Sequence, residues 1–470
     1  MSTDSIVEFE NEADPAPVKR RKSDTDMTHG NVYRLLVMFA LPLLVGNLFQ
    51  QLYNTVDTWV LGNYASNEAF AAIGTITPVF NLFVNTFMGL SNGAGVVISN
   101  YYGAGRLDKV SRTVHTSIVM AAICSVGFTV VGLLCKDTLI SWMNPSPDMV
   151  PHAQTYLGII FQFLTFQIFY NVAAAIMRAV GDSRRPFYFL VIACVINIVL
   201  DLYFVRSLGM GAAGVAYATV IAQGISAVLA VVSLMRETSC IKLRIKDLCF
   251  DREIMGRVFK IGVPTAIQMA VVSFSNIFVM SYINSFGTDF SSGYAAYFKT
   301  ELILFMFISS ISIAATTFVG QNFGARNVAR IKQGVKASII LCFIPTIVFG
   351  SLLMIFAPQI ISFFNSDPVV KEYGAYCLRF IVPFYAVQCF GQVLTSTLRG
   401  IGDSFAPMVI MISCYVGVRQ LYLYVMTHFI ANTPLAVIAA FPVGWTCGLI
   451  LTAIRYKRSD LDAKFANQED

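Results

Sequence analysis

Apolar residues in this chain come in long, nearly unbroken runs separated by short polar and basic punctuation. They show neither the alternation of a half-buried strand nor the one-sided stripe of a soluble helix. The runs fall near residues 34–61, 68–100, 111–135, 152–178, 186–206 and 210–235, and again near 257–285, 291–320, 333–357, 373–398, 407–430 and 434–455. A helix needs roughly 20 mainly apolar residues to cross a bilayer, so the pattern predicts twelve membrane-spanning helices. Composition agrees. Of the 470 residues, 56% are hydrophobic and only 13% charged, at a mean hydropathy of +0.66. That is more apolar surface than a soluble core can hide. The fold expected is an all-α polytopic membrane protein.

The charges set an orientation. The formal net charge of +6 is carried by Lys and Arg that lie between the apolar runs, so it points to loops at a lipid bilayer and not to a nucleic acid. On one side lie Arg106, Lys109 and Arg112, then Arg178, Arg184 and Arg185, the basic stretch from Arg236 to Lys260, and Arg455 to Arg458 near the end. On the other lie only Lys136, Arg206 and Lys371. Basic loops stay in the cytoplasm, which predicts a multi-pass cell-membrane protein with both termini cytoplasmic. Residues 1–33, acidic and then basic, read as a disordered cytoplasmic tail and not as a signal peptide. The ten cysteines include no CxxC pair and read as reduced, buried thiols.

The chain also repeats. Met177–Pro186 matches Leu398–Pro407, and the alignment that superposes those stretches also superposes Tyr102-Gly103-Ala104 on Phe323-Gly324-Ala325 without a gap. Leu41-Pro42 falls on Val263-Pro264 once a single-residue gap is allowed. A duplicated six-helix unit explains this, with the two copies parallel, pseudo-symmetric and arranged around a central cleft. The organisation expected is therefore a tail (1–33), a first bundle (34–236), a cytoplasmic linker (237–255), a second bundle (256–456) and a short cytoplasmic tail (457–470).

The twice-occurring Arg-x-x-Gly-Asp-Ser-x-x-Pro loop, the Gly-Ala loop after the second and eighth spans, Tyr53 to Thr58 in the first, and Asn197 to Asp201 in the fifth stand out beyond the tail. Together, and over nearly the whole of that length, they resemble the multidrug and toxic compound extrusion (MATE) family. The resemblance implies a secondary active transporter, not an enzyme, that exports small organic molecules by antiport against Na⁺ or H⁺ and works by alternating access. No GxxxxGK[ST] phosphate loop is present to suggest ATP-driven transport. No cofactor is expected, no metal beyond Na⁺, and no obligatory protein partner, so the chain should act as a monomer. A lipid-linked oligosaccharide flippase of the same superfamily is the alternative. An enzyme would need a constellation that His29, His115, His152 and His428, scattered between tail and helix edges, do not form.

An ionised carboxylate in the hydrocarbon region needs a partner or a wet cavity. In the first half the clear ones are Asp57 and Asp201, each within about two turns of the outer end of its helix and so at one depth. Asn197 precedes Asp201 by one turn, and Tyr53 precedes Asp57 in the same way. Two carboxyls with neutral oxygen-bearing neighbours suit a monovalent cation, and their mutual repulsion lets a proton compete for the same place. The family resemblance assigns the cation site to Asp57, Asn197 and Asp201, and adds Thr219 on the sixth span with Tyr156 and Asn171 on the fourth. The competing reading makes Asp57 and Asp201 helix-end residues that face headgroups or pair with Arg206. The second copy is a control, for Val279 stands opposite Asp57 and Tyr422 opposite Asp201. Some branches of the family carry an acid in the seventh helix, but 264–272 contain none. Lys299, Glu301, Arg379 and Arg419 are further intramembrane charges, Arg419 falling mid-span with no partner named by the sequence.

Overall fold

The computed structural model describes residues 26–143 and 145–459, and every regular element among them is helical. Eleven helices are long and apolar enough to cross a membrane: Val32–Tyr64, Asn67–Gly103, Leu107–Trp142, Arg184–Ser207, Gly211–Met235, Arg252–Asn284, Thr288–Gly324, Val328–Ile355, Pro368–Gly400, Phe405–Ile430 and Pro434–Arg458. Between the third and fifth runs the crossing is made by two helices, Pro147–Gln162 and Leu164–Ala179, that meet at 48°. Counted as one bent span they complete the twelve. The longest helices have 37 residues, at about 1.5 Å each roughly twice what the hydrocarbon layer requires.

Short polar side chains start several of these helices by taking up backbone N–H groups that the first turn leaves without acceptors. Ser66 accepts from Ala69 N at 3.2 Å, Asn327 from Arg330 N at 3.0 Å and Thr433 from Ala436 N at 3.3 Å. The two repeated loops use one device. Gly181 and Gly402 stop the preceding helix at φ 92° and 85°, a region open to glycine at no steric cost. The following aspartate then caps the next helix. Asp182 Oδ1 accepts from Arg184 N and Arg185 N at 2.9 and 3.1 Å, and Asp403 Oδ1 accepts from Ala406 N at 3.2 Å.

The described chain divides into two compact units, but not at the linker between the repeats. One unit is Leu41–Ala266; the other combines Met27–Ala40 with 267–459. Both boundaries run through continuous helices, beside Pro42 and Pro264, where proline withholds a backbone hydrogen bond and loosens the helix. The segment 237–255 is an ordered part of the first unit: Ile241 is fully buried, Leu243 N donates to Leu234 O at 3.0 Å, and Arg244 N donates to His115 Nε2 at 3.1 Å.

In the first unit the second span and the start of the seventh touch backbone to backbone. A Cβ on Gly89 would lie 2.4 Å from Ala266 Cα, and one on Gly93 would lie 2.6 Å from Gly262 N. Small residues are what permit such an approach between helices in a membrane. In the second unit the eighth and tenth spans meet similarly, a Cβ on Gly293 lying 2.8 Å from Gly374 N.

The tail expected to be disordered through residue 33 is fixed from Met27 onward. Met27 is fully buried. Its N–H donates to Gln321 Oε1 at 2.9 Å, and its carbonyl accepts from Asn322 Nδ2 at 3.1 Å and Arg330 Nε at 3.0 Å. The Gly30 carbonyl accepts from Arg330 Nη1 at 2.9 Å. These contacts join residues 294 to 303 positions apart in the sequence, which is why local polarity did not announce them. Tail residues 1–25 and those after 459 lie outside the described residues.

Candidate cation-binding site

The site is built in the first unit where the first and fifth spans adjoin. Cys194 Sγ donates to the Phe49 carbonyl at 3.5 Å and ties the two helices together. One turn beyond Cys194 comes Asn197, and one turn beyond that Asp201, where regular α-helix ends and a π-helical stretch, Leu202–Ser207, begins. Such widened turns recur at functional sites because they redirect side chains and free backbone groups.

The Asp57 and Asp201 carboxyls lie within hydrogen-bonding reach of each other. Asp201 is fully buried. Neither of its oxygens has a hydrogen-bond partner, and Asp57 Oδ1 has none either. Ionised carboxyls only accept, so two of them face to face are stable only when a shared proton or a cation supplies the missing positive charge. Asn197 and Thr219 are buried as well, and both amide atoms of Asn197 and the Thr219 hydroxyl are without partners. Tyr53, Asn197, Thr219, Cys194 and Gln223 line a single pocket. Tyr53 and Tyr156 both stand within electrostatic range of the two carboxyls. The unpartnered oxygens of Asp57, Asp201, Asn197 and Thr219 form a donor set that fits a hard cation such as Na⁺, and the carboxyl pair alone would fit a proton.

Six of the seven residues singled out from the sequence are thus gathered. The seventh, Asn171, spends its amide on the Gln167 carbonyl of its own helix at 2.8 Å. The competing reading of Asp201 does not match the geometry: Arg206 is exposed and lies over the Tyr64 ring at 5.4 Å instead. Cys194 and Gln223 had no sequence signal beyond helical spacing.

The intramembrane charges of the second unit are held differently. Glu301 lies within hydrogen-bonding reach of the buried Tyr297 and Tyr385, while Lys299 points to the Phe364 ring at 5.9 Å. Arg379 is exposed and donates to the Met354 carbonyl at 3.3 Å. Arg419 is 2% exposed. Its Nη2 donates to Ser275 Oγ at 2.7 Å, its guanidinium lies over the Phe441 ring at 5.4 Å, and its Nε has no acceptor. Ser275 donates in turn to the Tyr415 carbonyl at 2.8 Å and accepts from Gln420 Nε2 at 3.0 Å.

A family profile described as MatE matches residues 42–203 and 264–449, one stretch in each repeated half. The probable multidrug resistance protein YoeA of Bacillus subtilis is 28% identical over 428 residues, covering 90% of this chain and 92% of that protein. The probable multidrug resistance protein NorM of Thermotoga maritima is 28% identical over 382 residues, covering 80% and 81%. Two solved structures share the fold. One is an outward-facing multidrug resistance MATE family transporter of the MOP superfamily, at TM-score 0.88 and 23% identity, with 95% of this chain and 99% of that one covered. The other is a MOP superfamily transporter from Pyrococcus furiosus, at TM-score 0.89 and 22% identity, with the same coverage.

Proposed function

The chain belongs to the MatE family of membrane transporters, and from that premise we propose that it is a secondary active antiporter exporting organic, cationic or amphipathic drug-like compounds in exchange for Na⁺ or H⁺. It is a multi-pass membrane protein and a transporter, not an enzyme. In the proposed arrangement it sits in the cell membrane as a monomer with both termini in the cytoplasm, the side on which the basic loops accumulate. The names of its relatives as multidrug resistance proteins support the substrate class.

One observation carries the coupling: two carboxyls within reach of each other, Asp201 fully buried and Asp57 half-buried, among unpartnered amide and hydroxyl oxygens. A cation between Asp57 and Asp201 favours the conformation in which the carboxyls approach, and its departure leaves like charges that favour parting. An ion can drive a conformational change only through such a difference in affinity between states. Asn197 and Thr219 offer further oxygens to Na⁺, whereas a proton needs only the carboxyl pair, so the two ions compete for one place.

The test is efflux of a cationic dye from proteoliposomes under imposed Na⁺ or H⁺ gradients. Efflux that follows one gradient and is lost in Asp57→Asn supports the reading; efflux indifferent to both gradients removes the antiport.

A further inference from the structure

Arg419 presents a problem that the cation pocket does not solve. A guanidinium buried in the membrane interior is costly unless an anion or enough acceptors compensate it. Among the described residues no carboxylate forms an ion pair with it. Glu301, whose field reaches the same Tyr294 ring as that of Arg419, has its carboxyl within reach of two tyrosine hydroxyls instead. Arg419 is left with one neutral hydroxyl, one aromatic face and an Nε without an acceptor.

The local backbone aims this side chain. A π-helical turn, Ser413–Val418, ends immediately before Arg419. In the ungapped alignment of the repeated loops it falls on 192–197, inside the regular helix Arg184–Asp201, so the second half carries a π turn where its sister has none. Gly444 on the last span packs beside the side chain, where a Cβ would meet Arg419 Cβ at 3.7 Å in ordinary contact. The cover is aromatic. Phe441 is half-buried, so the ring over the guanidinium itself reaches accessible surface. Tyr294 stacks on Phe441 at 6.2 Å and 19°, and Trp445 stands 6.2 Å from Phe441.

We infer that the second unit holds an anion-binding site centred on Arg419, and that the exported compound carries an acidic group beside an aromatic body that rests against Phe441. The acidic group, a carboxylate or sulfonate, accepts from Nε and the outer guanidinium edge, the fork geometry in which Arg recognises such groups. This deepens the export reading and rests on it for the word exported; the site itself is read by binding alone. Within the cationic or amphipathic class proposed above, the site singles out zwitterionic and acidic amphiphiles.

The test uses the full chain in lipid nanodiscs, without any ion gradient, and a pair of rhodamine dyes that differ only in a free carboxylic acid against its methyl ester. Fluorescence anisotropy should show the acid binding about 10- to 100-fold more tightly than the ester, the range expected for hydrogen bonds to a charged group. Arg419→Gln should erase that ratio while leaving ester binding within about twofold, and Arg419→Lys, which keeps the charge, should retain part of it. A wild type indifferent to the free acid overturns the proposal, and needs no variant to do so. Arg419→Gln weakening both dyes equally also overturns it, because a merely structural arginine behaves in that way. Because no gradient is imposed, failure of coupled export would leave the acid-to-ester ratio standing.

Discussion

The two halves arise from one repeated plan, yet their matching spans, the first and fifth against the seventh and eleventh, place opposite charges in the membrane interior. In the first unit Asp57 and Asp201 face each other with oxygens that lack donors. In the second the repeat alignment puts Ser275 where Tyr53 stands and Tyr422 where Asp201 stands, with Arg419 one turn earlier. There the charge is a cation, most of whose neighbours are already matched by hydrogen bonds or a ring. Duplication supplied the scaffold twice, and substitution at a few facing positions gave one copy a deficit of positive charge and the other a deficit of negative.

The largest expected effect breaks the comparison at its acidic end. Asp57→Asn or Asp201→Asn should reduce gradient-driven dye efflux in proteoliposomes to the level of protein-free vesicles. The double variant should be no worse than either single one, because the carboxyls act as a unit. Next comes ligand-linked stability. The coupling ion at 100 times its Kd should raise the unfolding free energy of the wild type by about 2.7 kcal/mol. Thermal melting with and without the ion should show that gain lost in Asp201→Asn and kept in Arg419→Gln. A smaller loss should follow Gly93→Ala in the first unit, where overpacking against Gly262 should cost about 1–3 kcal/mol in melting experiments whether or not the ion is present. The smallest effect should be Thr219→Val, which removes one neutral oxygen and should weaken ion affinity about 2- to 10-fold by isothermal titration.

Much of this was written in local pattern. Twelve apolar runs gave twelve crossings because hydrocarbon leaves the backbone no option but to satisfy itself within a helix. The carboxyl pair was legible because both acids sit at one depth, with Asn197 a turn from Asp201. The bend at Phe163 was not, since neither proline nor glycine marks that position. Nor were the partners of Arg419 and Glu301, because Ser275 and Tyr385 belong to other spans far along the chain and only packing brings them near. The boundaries of the compact units escaped for a related reason: the proline that loosens a helix is visible, but the unit to which each side of it adheres is decided by distant contacts.

The seating of Met27 has a consequence for how the polypeptide is made. Its carbonyl waits for Arg330, which lies beyond the eighth span. At about 5–20 residues per second of synthesis, that partner emerges roughly 15–60 s after Met27 does. The opening segment must therefore stay unattached at the ribosome and insertion machinery through the manufacture of every span up to Gly324, and the second compact unit can close only once its earliest piece is recovered.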